Sequence, residues 1–387
     1  MYLWRTSGNS QSRRQKNGAA LKGMTLIELM IAMVLSVILI MAIYYIYHAT
    51  TSSYRAQDQI MAAMEQARFG LDQLRRDVGA AGFLATPNTA ADPNVCPKPI
   101  QPYRAVSLDR VHGVNNGNTN IVPNSITLMG AFWSPTVYTT RSVVGRQVVL
   151  QGPEDGAAFP PTYADFDQIF VKNRLLRIAN ADQFEMYFRI DNANFGSRTI
   201  TLGDPVPITT PPDFCGVQGF GVGLEVSVVG FVRYTLVPDD SEIGKIDLVR
   251  QELDARDPAL NTVLPNSTIR VAEYVADLQF YDFAFDVDRT GRNPLIQVFP
   301  TIENVLDSGT QLLNLSLAAR PQDLRFVTIK LTTRTSHEDE SWPYRERRNL
   351  YDPIESYEVD STMAGSARTV SLAVRVPLVS LQVRNVK

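Results

Sequence analysis

From Met24 to Tyr47 this chain carries an apolar run with one charge in it, Glu28 near its outer end. A run of about 24 residues is long enough to cross a bilayer as a helix. Hydrocarbon offers no water to the backbone, so a single spanning segment has to satisfy its own amides as a helix. Leu26, Leu29, Met30, Met33, Val34, Val37, Leu39, Ile40 and Ile43 place apolar side chains on every face of it. Tyr44, Tyr45, Tyr47 and His48 then form an interface belt. Ahead of the run, Met1 to Gly23 holds Arg5, Arg13, Arg14, Lys16 and Lys22 and no acid. That asymmetry keeps the N-terminal side in the cytoplasm and the rest across the membrane. A carboxylate inside hydrocarbon is costly, which makes Glu28 a functional residue by default.

The helix signal continues past the span. No proline occurs from Met24 to Val78, and Gly70 is the one glycine there. Ile60, Met64, Ala67, Leu71, Leu74 and Val78 follow spacings of three and four, which line one helix face. Arg68 can meet Asp72 one turn on, and Asp72 can meet Arg75 or Arg76. Gly79 and Gly82 end the pattern, with Pro87 beyond. One helix of about 55 residues is expected, roughly 80 Å long. Its second half should lay its stripe on a sheet.

An ordinary secretory signal is shorter and is followed by a small-residue cleavage site. A plain signal anchor accounts for the topology but not for Glu28 or for the string Gly23-Met24-Thr25-Leu26-Ile27-Glu28-Leu29 beside it. That string, between a basic leader and an apolar helix, resembles the class III signal of type IV pilins and pseudopilins. The resemblance implies that a prepilin peptidase cuts between Gly23 and Met24 and that Met24 is then N-methylated. The family usually has Phe where this chain has Met24. Glu28 takes the place of the glutamate at the fifth mature residue, implied to pair with a neighbouring subunit's N-terminal amine and so set assembly register.

Beyond the helix, 44% hydrophobic and 20% charged residues describe a globular chain. Removing the leader leaves 32 bases against 40 acids, a formal charge of −8. A mildly acidic protein has no electrostatic case for nonspecific nucleic-acid binding. Ala85 to Pro123 is rich in Pro, Asn, Ala and Gly and suggests long loop with one short strand. Ser125–Met129 and Val143–Leu150 suggest strands, and Gln151–Thr162 loop. From Leu224 onward strands dominate: Leu224–Leu236, Ile246–Glu252, Ala276–Val287, Leu295–Phe299, Leu324–Thr335, and Thr369–Arg384 broken at Pro377. In Leu324–Thr335, Val327, Ile329 and Leu331 alternate with Thr328, Lys330 and Thr332, the pattern of a sheet with one wet face. The glycine-rich run 216–223 fails a dinucleotide fingerprint, with Leu224 and no helix after it, and suggests a flexible connector.

Phe231 to Leu236, Ile246 to Arg250, Val271 to Phe280, Arg325 to Leu331 and the Val-rich close near Arg384-Asn385 are similar to the paired strands of PilW-type minor pilins. The resemblance implies an α+β type IV pilin fold, with a long N-terminal helix packed on an antiparallel sheet domain that carries a large inserted loop and β region. The expected organisation is leader 1–23, membrane half of the helix 24–47, amphipathic half 48–79 and periplasmic domain 80–387, with 85–223 as the unusual insert. It further implies a minor pilin that primes assembly, sits at the pilus tip and supports twitching motility and adhesion. The implied partners are the prepilin peptidase, other minor pilins, the major pilin, a PilY-type tip adhesin and the inner membrane. A GspJ-like pseudopilin of type II secretion shares the signal and fold and is the alternative, as is an unprocessed bitopic envelope protein.

Catalytic patterns are not found: His48, His112 and His337 stand in no metal or triad motif, and no nucleophile elbow or Walker loop occurs. No cofactor is expected. Asp286, Asp288 and Thr290, with Gly291, start like a calcium loop, but Gln297 stands where a bidentate Glu belongs and Arg289 and Arg292 add charge of the wrong sign. An Asp/Gly turn explains the same residues. Cys96 and Cys215 face an oxidising compartment under the implied topology, so a disulfide is expected. Arg345, Arg347 and Arg348 lie beside Trp342, Tyr344 and Tyr351, suggesting a solvated loop or a contact with a neighbouring subunit.

Overall fold

A computed structural model describes residues 24–382 except 112–113, 115–117, 119, 181, 209–214, 218, 240, 243, 258, 289–294, 303–304, 306–319, 350–351 and 361–364. Helix α1 spans Leu26–Gly79, 54 residues, as the uninterrupted pattern predicts. The chain divides into two compact units, residues 1–56 and 57–387.

In the second unit, α1 from Gln57 onward buries Ala63, Ala67, Gly70, Leu71, Leu74 and Val78, a stripe at helical spacing. Gly70 belongs to it because a Cβ there would stand 2.7 Å from Leu331 Cδ2 and 3.1 Å from Ala272 Cβ. Glycine lets the helix backbone approach the sheet closely. Of the partners expected for it, Asp72 pairs with Arg76, at 2.7 Å and well exposed, a contact of small energetic weight.

Among the described residues fifteen strands form two sheets. β1 (Val106–Arg110), β2 (Asn124–Gly130), β3 (Tyr138–Val144), β4 (Gln147–Leu150), β5 (Leu175–Ala179), β6 (Glu185–Asn194), β7 (Thr199–Leu202), β8 (Glu225–Pro238), β9 (Ile246–Leu253) and β10 (Ile269–Ala272) make the first. β11 (Val275–Asp288), β12 (Leu295–Phe299), β13 (Leu324–Arg334), β14 (Ser356–Tyr357) and β15 (Ala367–Pro377) make the second, in the order β12-β11-β13-β15-β14. All named strand pairs are antiparallel.

β8 organises the first sheet. Its first half pairs with β3 and β5, and the pairings β8-β3-β4-β7-β6-β5 return to β8, closing a ring of six strands. Closure leaves the ring no open edge. Its interior is filled by Val148, Leu176, Ile178, Met186, Ile190, Ile200, Val226 and their neighbours. A short helix α2 (Tyr163–Ile169), capped by Thr162, adds Phe166 to that core. The second half of β8 pairs with β2 and β9 and contributes Val232, Tyr234 and Leu236 to the main core, which also holds Leu71, Leu74 and Val78 of α1 and Leu278, Ile329 and Leu331 of the second sheet. Through β8, residues 85–223 are therefore joined to the C-terminal strands in one sheet.

Several sequence expectations need correction. The single strand expected at Val143–Leu150 is a hairpin, β3–β4, turned at Gly145 with φ +58. α2, β5, β6 and β7 are elements that the sequence pattern does not mark. The glycine run is strapped, not flexible: Val143 N–H donates to Phe220 O at 2.8 Å and Thr140 Oγ1 to Gly221 O at 2.6 Å. The final strand stops at Pro377, and a helical turn, Val379–Gln382, comes after it. The Arg384-Asn385 close lies outside the described residues. The face of β13 expected to be wet is largely covered: Thr328 is 7% and Thr332 0% exposed.

Candidate processing and assembly site

In the first unit, every described residue from Met24 to Thr50 is exposed. Among the described residues α1 is the one helix long and apolar enough to cross a membrane. Ser36 Oγ donates to Ala32 O at 2.7 Å, so its hydroxyl proton is satisfied within the helix, as hydrocarbon requires.

Glu28 sits in the first turn. Its Oε2 accepts from Thr25 N–H and from Thr25 Oγ1, both at 2.9 Å, while Glu28 N–H approaches Thr25 Oγ1 at 3.4 Å. This reciprocal arrangement is a capping box, in which a Thr and a Glu three residues on satisfy orphan amides at a helix start. A carboxylate there also complements the positive end of the helix dipole. Thr25 is the site residue that sequence reasoning passed over. Its signal, Thr-x-x-Glu ahead of an apolar run, is present in the string. Met24 precedes the box and is exposed. Gly23 lies outside the described residues.

The prokaryotic N-terminal methylation motif matches residues 21–44. With it, the chain carries the class III signal that marks a type IV pilin or pseudopilin, implying processing by a prepilin peptidase and assembly with other pilins. The long apolar helix and the mainly antiparallel β domain after it fit the α+β pilin-like architecture. No curated protein and no solved structure matches the chain.

The amphipathic half of α1 is held by polar contacts as well as by its stripe. Asp77 Oδ2 accepts from Tyr234 Oη at 2.7 Å and from Arg250 Nε at 2.8 Å. Burial and the adjacent Asp77 carboxylate push the Tyr234 phenol far above its usual value. Thr333 Oγ1 donates to Ala63 O at 2.8 Å, and Glu273 N–H to Gln66 Oε1 at 3.1 Å. Together these set the axial position of the helix on strands β8, β9 and β13.

Cys96 and Cys215 are joined, with Cα atoms 5.2 Å apart, inside the usual range of roughly 4.4–6.8 Å. Both ends of the bond rest on the β5–β6 hairpin. Cys96 N–H donates to Glu185 O at 3.0 Å, and Asn180 Nδ2 to Gly216 O at 3.2 Å. The loop after α1 does not depend on the bond alone. Thr86 Oγ1 donates to Asp92 Oδ2 at 2.7 Å, and Thr86 N–H donates to Tyr187 Oη at 2.8 Å.

The calcium candidate is taken up differently. Asp286 Oδ2 pairs with Arg325 Nη2 at 2.9 Å across β11 and β13. Thr290 lies outside the described residues, and Asp288 is described only as the end of β11. Among the described residues no group of three His, Cys, Asp or Glu lies where it could hold a metal. The arginine cluster is split. Arg345 pairs with Glu355 at 3.0 Å in the open, Arg348 is exposed, and Arg347 is buried at 6% exposure. Tyr351 lies outside the described residues.

Proposed function

We propose that this protein is a minor type IV pilin of the PilW type, an assembly and tip subunit with no catalytic role. The observation that carries the reading is the methylation motif at 21–44, set at the head of a helix whose apolar surface is exposed and whose other half is clamped to a large β domain. Before assembly the helix anchors the subunit in the inner membrane with residues 80–387 in the periplasm. The peptidase removes residues 1–23 and methylates Met24. In the filament the apolar surface exchanges lipid for neighbouring pilin helices, and Glu28 exchanges its bonds to Thr25 for a neighbour's N-terminal amine. A misregistered helix would leave that carboxylate unpaired, which penalises wrong packing. Other minor pilins, the major pilin and a PilY-type adhesin complete the complex. The strands from Phe231 to Leu331 resemble PilW proteins, which favours this reading over a GspJ-like pseudopilin.

Mass spectrometry of sheared pili tests the proposal. The expected result is a peptide beginning at N-methylated Met24, at low stoichiometry to the major pilin. An N-terminus upstream of Met24 in the membrane-extracted protein would overturn processing. A processed protein found with secretion pseudopilins and absent from pili would favour the GspJ-like alternative.

A further inference from the structure

One face of the second sheet is roofed by residues 120–124 and by the described residues of a second loop, 345–349 and 352–355, and the roof is bolted down. Gln279 Nε2 donates to Val122 O at 2.8 Å. Asn120 Nδ2 donates to Arg347 O at 2.8 Å, and Arg347 Nη1 to Asn120 O at 3.2 Å. Arg347 Nε donates to Asp352 O at 2.8 Å, and its Nη1 stands 3.4 Å from Asp277 Oδ2. Where the roof stops, a hollow of about 380 Å³ opens, lined by Tyr281, Thr301, Lys330, Arg347, Ser371 and Ala373, among others. This is the small end of the size range of ligand pockets, roughly 300–1,000 Å³.

The hollow exists because of one register. Lys330 on β13 stands opposite Gln279 on β11 and opposite Ala373 on β15. Ala373 and Ser371 are small, so space is left above that strand beside the lysine. Lys330 is half-buried, and among the described residues its Nζ has no hydrogen-bond or ion-pair partner within reach. The carboxylate whose charge reaches it, Asp277, is engaged elsewhere: Oδ1 accepts from Gln279 Nε2 at 2.9 Å and Oδ2 faces Arg347. Burial, with Arg347 nearby, holds the Lys330 ammonium below its ordinary value, the mark of a cation short of compensation. Arg347 faces Asp277 and feels the Asp352 carboxylate as well, so Lys330 is the cation of the hollow left without a carboxylate partner among the described residues.

We propose that this hollow binds a small monocarboxylate with a hydroxylated body, of the class of a sugar acid. The carboxylate pairs with Lys330. The hydroxyls of the ligand meet those of Tyr281, Thr301 and Ser371 at the walls. A single unpaired ammonium matches a carboxylate better than a phosphate dianion. The site lies wholly within the β domain, includes no residue of the processing signal, and does not depend on how the subunit is assembled.

The test is calorimetric titration of the full-length protein in detergent micelles with sodium glucuronate and galacturonate, at matched ionic strength, against glucose. Saturable binding of at least one uronate is expected, at least tenfold tighter than glucose. Lys330→Gln is expected to weaken it at least tenfold. That substitution breaks no bond within the protein, since Asp277 keeps Arg347 and Gln279, and an unchanged thermal unfolding midpoint verifies this. Ala373→Leu, on an exposed position, is expected to abolish binding by filling the hollow. Failure of both uronates to saturate, glucose binding as tightly, or wild-type affinity in either variant would overturn the proposal.

Discussion

Removing the Asp77 carboxylate isolates what fastens the long helix to the β domain. Its Oδ2 accepts from both Tyr234 and Arg250. The Asp77 and Arg250 side chains are 13% and 10% exposed, so the pair is largely out of water. In Asp77→Ala the guanidinium stays buried without its counter-charge, and the Tyr234 hydroxyl loses its acceptor. Breaking a buried pair from one side costs about 3–5 kcal/mol. At about 1.4 kcal/mol per tenfold, the folding constant falls by roughly a hundredfold to several thousandfold. That is a large share of the roughly 5–15 kcal/mol typical of a folded domain. The double variant Asp77→Leu/Arg250→Met removes both charges and keeps apolar volume, so it should recover most of the loss. Urea unfolding of the full chain in micelles, monitored by near-ultraviolet circular dichroism, measures both. If Asp77→Ala lies within about 1 kcal/mol of the wild type, or the double variant is less stable than the single one, the pair does not clamp the helix to the sheet.

Glu28→Val should insert in the membrane at least as well as the wild type, because it removes a charge from the span, yet enter sheared pili poorly. Wild-type levels in pili would refute the pairing role. Gly23→Ala should be processed slowly and larger residues not at all, read from precursor and mature bands on a gel. The Tyr357 phenol, pushed up to about 12 by burial, folds best protonated. Its contribution is whole below about pH 10, the ordinary tyrosine value, and is lost as pH rises through about 12. Two pH units correspond to roughly 3 kcal/mol. Tyr357→Phe should therefore flatten the alkaline fall in stability measured between about pH 10 and 12, and an unchanged slope would count against it. Breaking the disulfide by Cys96→Ser/Cys215→Ser forgoes up to about 4–5 kcal/mol for a loop closed across 119 residues. Limited proteolysis should then speed up at 216–223 and leave β8 to β15 as resistant as before. Equal cleavage in the oxidised and reduced protein would show the strap holds unaided.

What the sequence settled by itself was everything governed by a local period or a local string. The span from Met24 to Tyr47, the helix to Gly79, the stripe through Leu71, Leu74 and Val78, and the processing signal all come from spacing along one element, where neighbours in space are neighbours in sequence. β8, β9, β11, β12 and β13 were legible for the same reason: their apolar and β-branched residues cluster between turn residues. Tertiary structure alone decided the rest. The six-stranded ring exists because β8 is long enough to serve two sets of partners, and the unbroken burial of Val226–Val232, with Ser227 its one polar side chain, reflects burial on both faces. β5 and β7 are short, and β5 and β6 carry charged or polar residues such as Arg177, Glu185 and Asn192. Arg177 and Glu185 become buried only because they meet each other across the hairpin. Asp77, Arg250 and Tyr234 are ordinary surface types in the sequence, separated by more than 150 residues from helix to sheet. Lys330 looked like the wet half of an alternating strand. Two loops, one far upstream of it and one just downstream, cover that face and leave the hollow beside it. A period records which side of an element is apolar, but it does not record what else in the chain comes to lie on the other side.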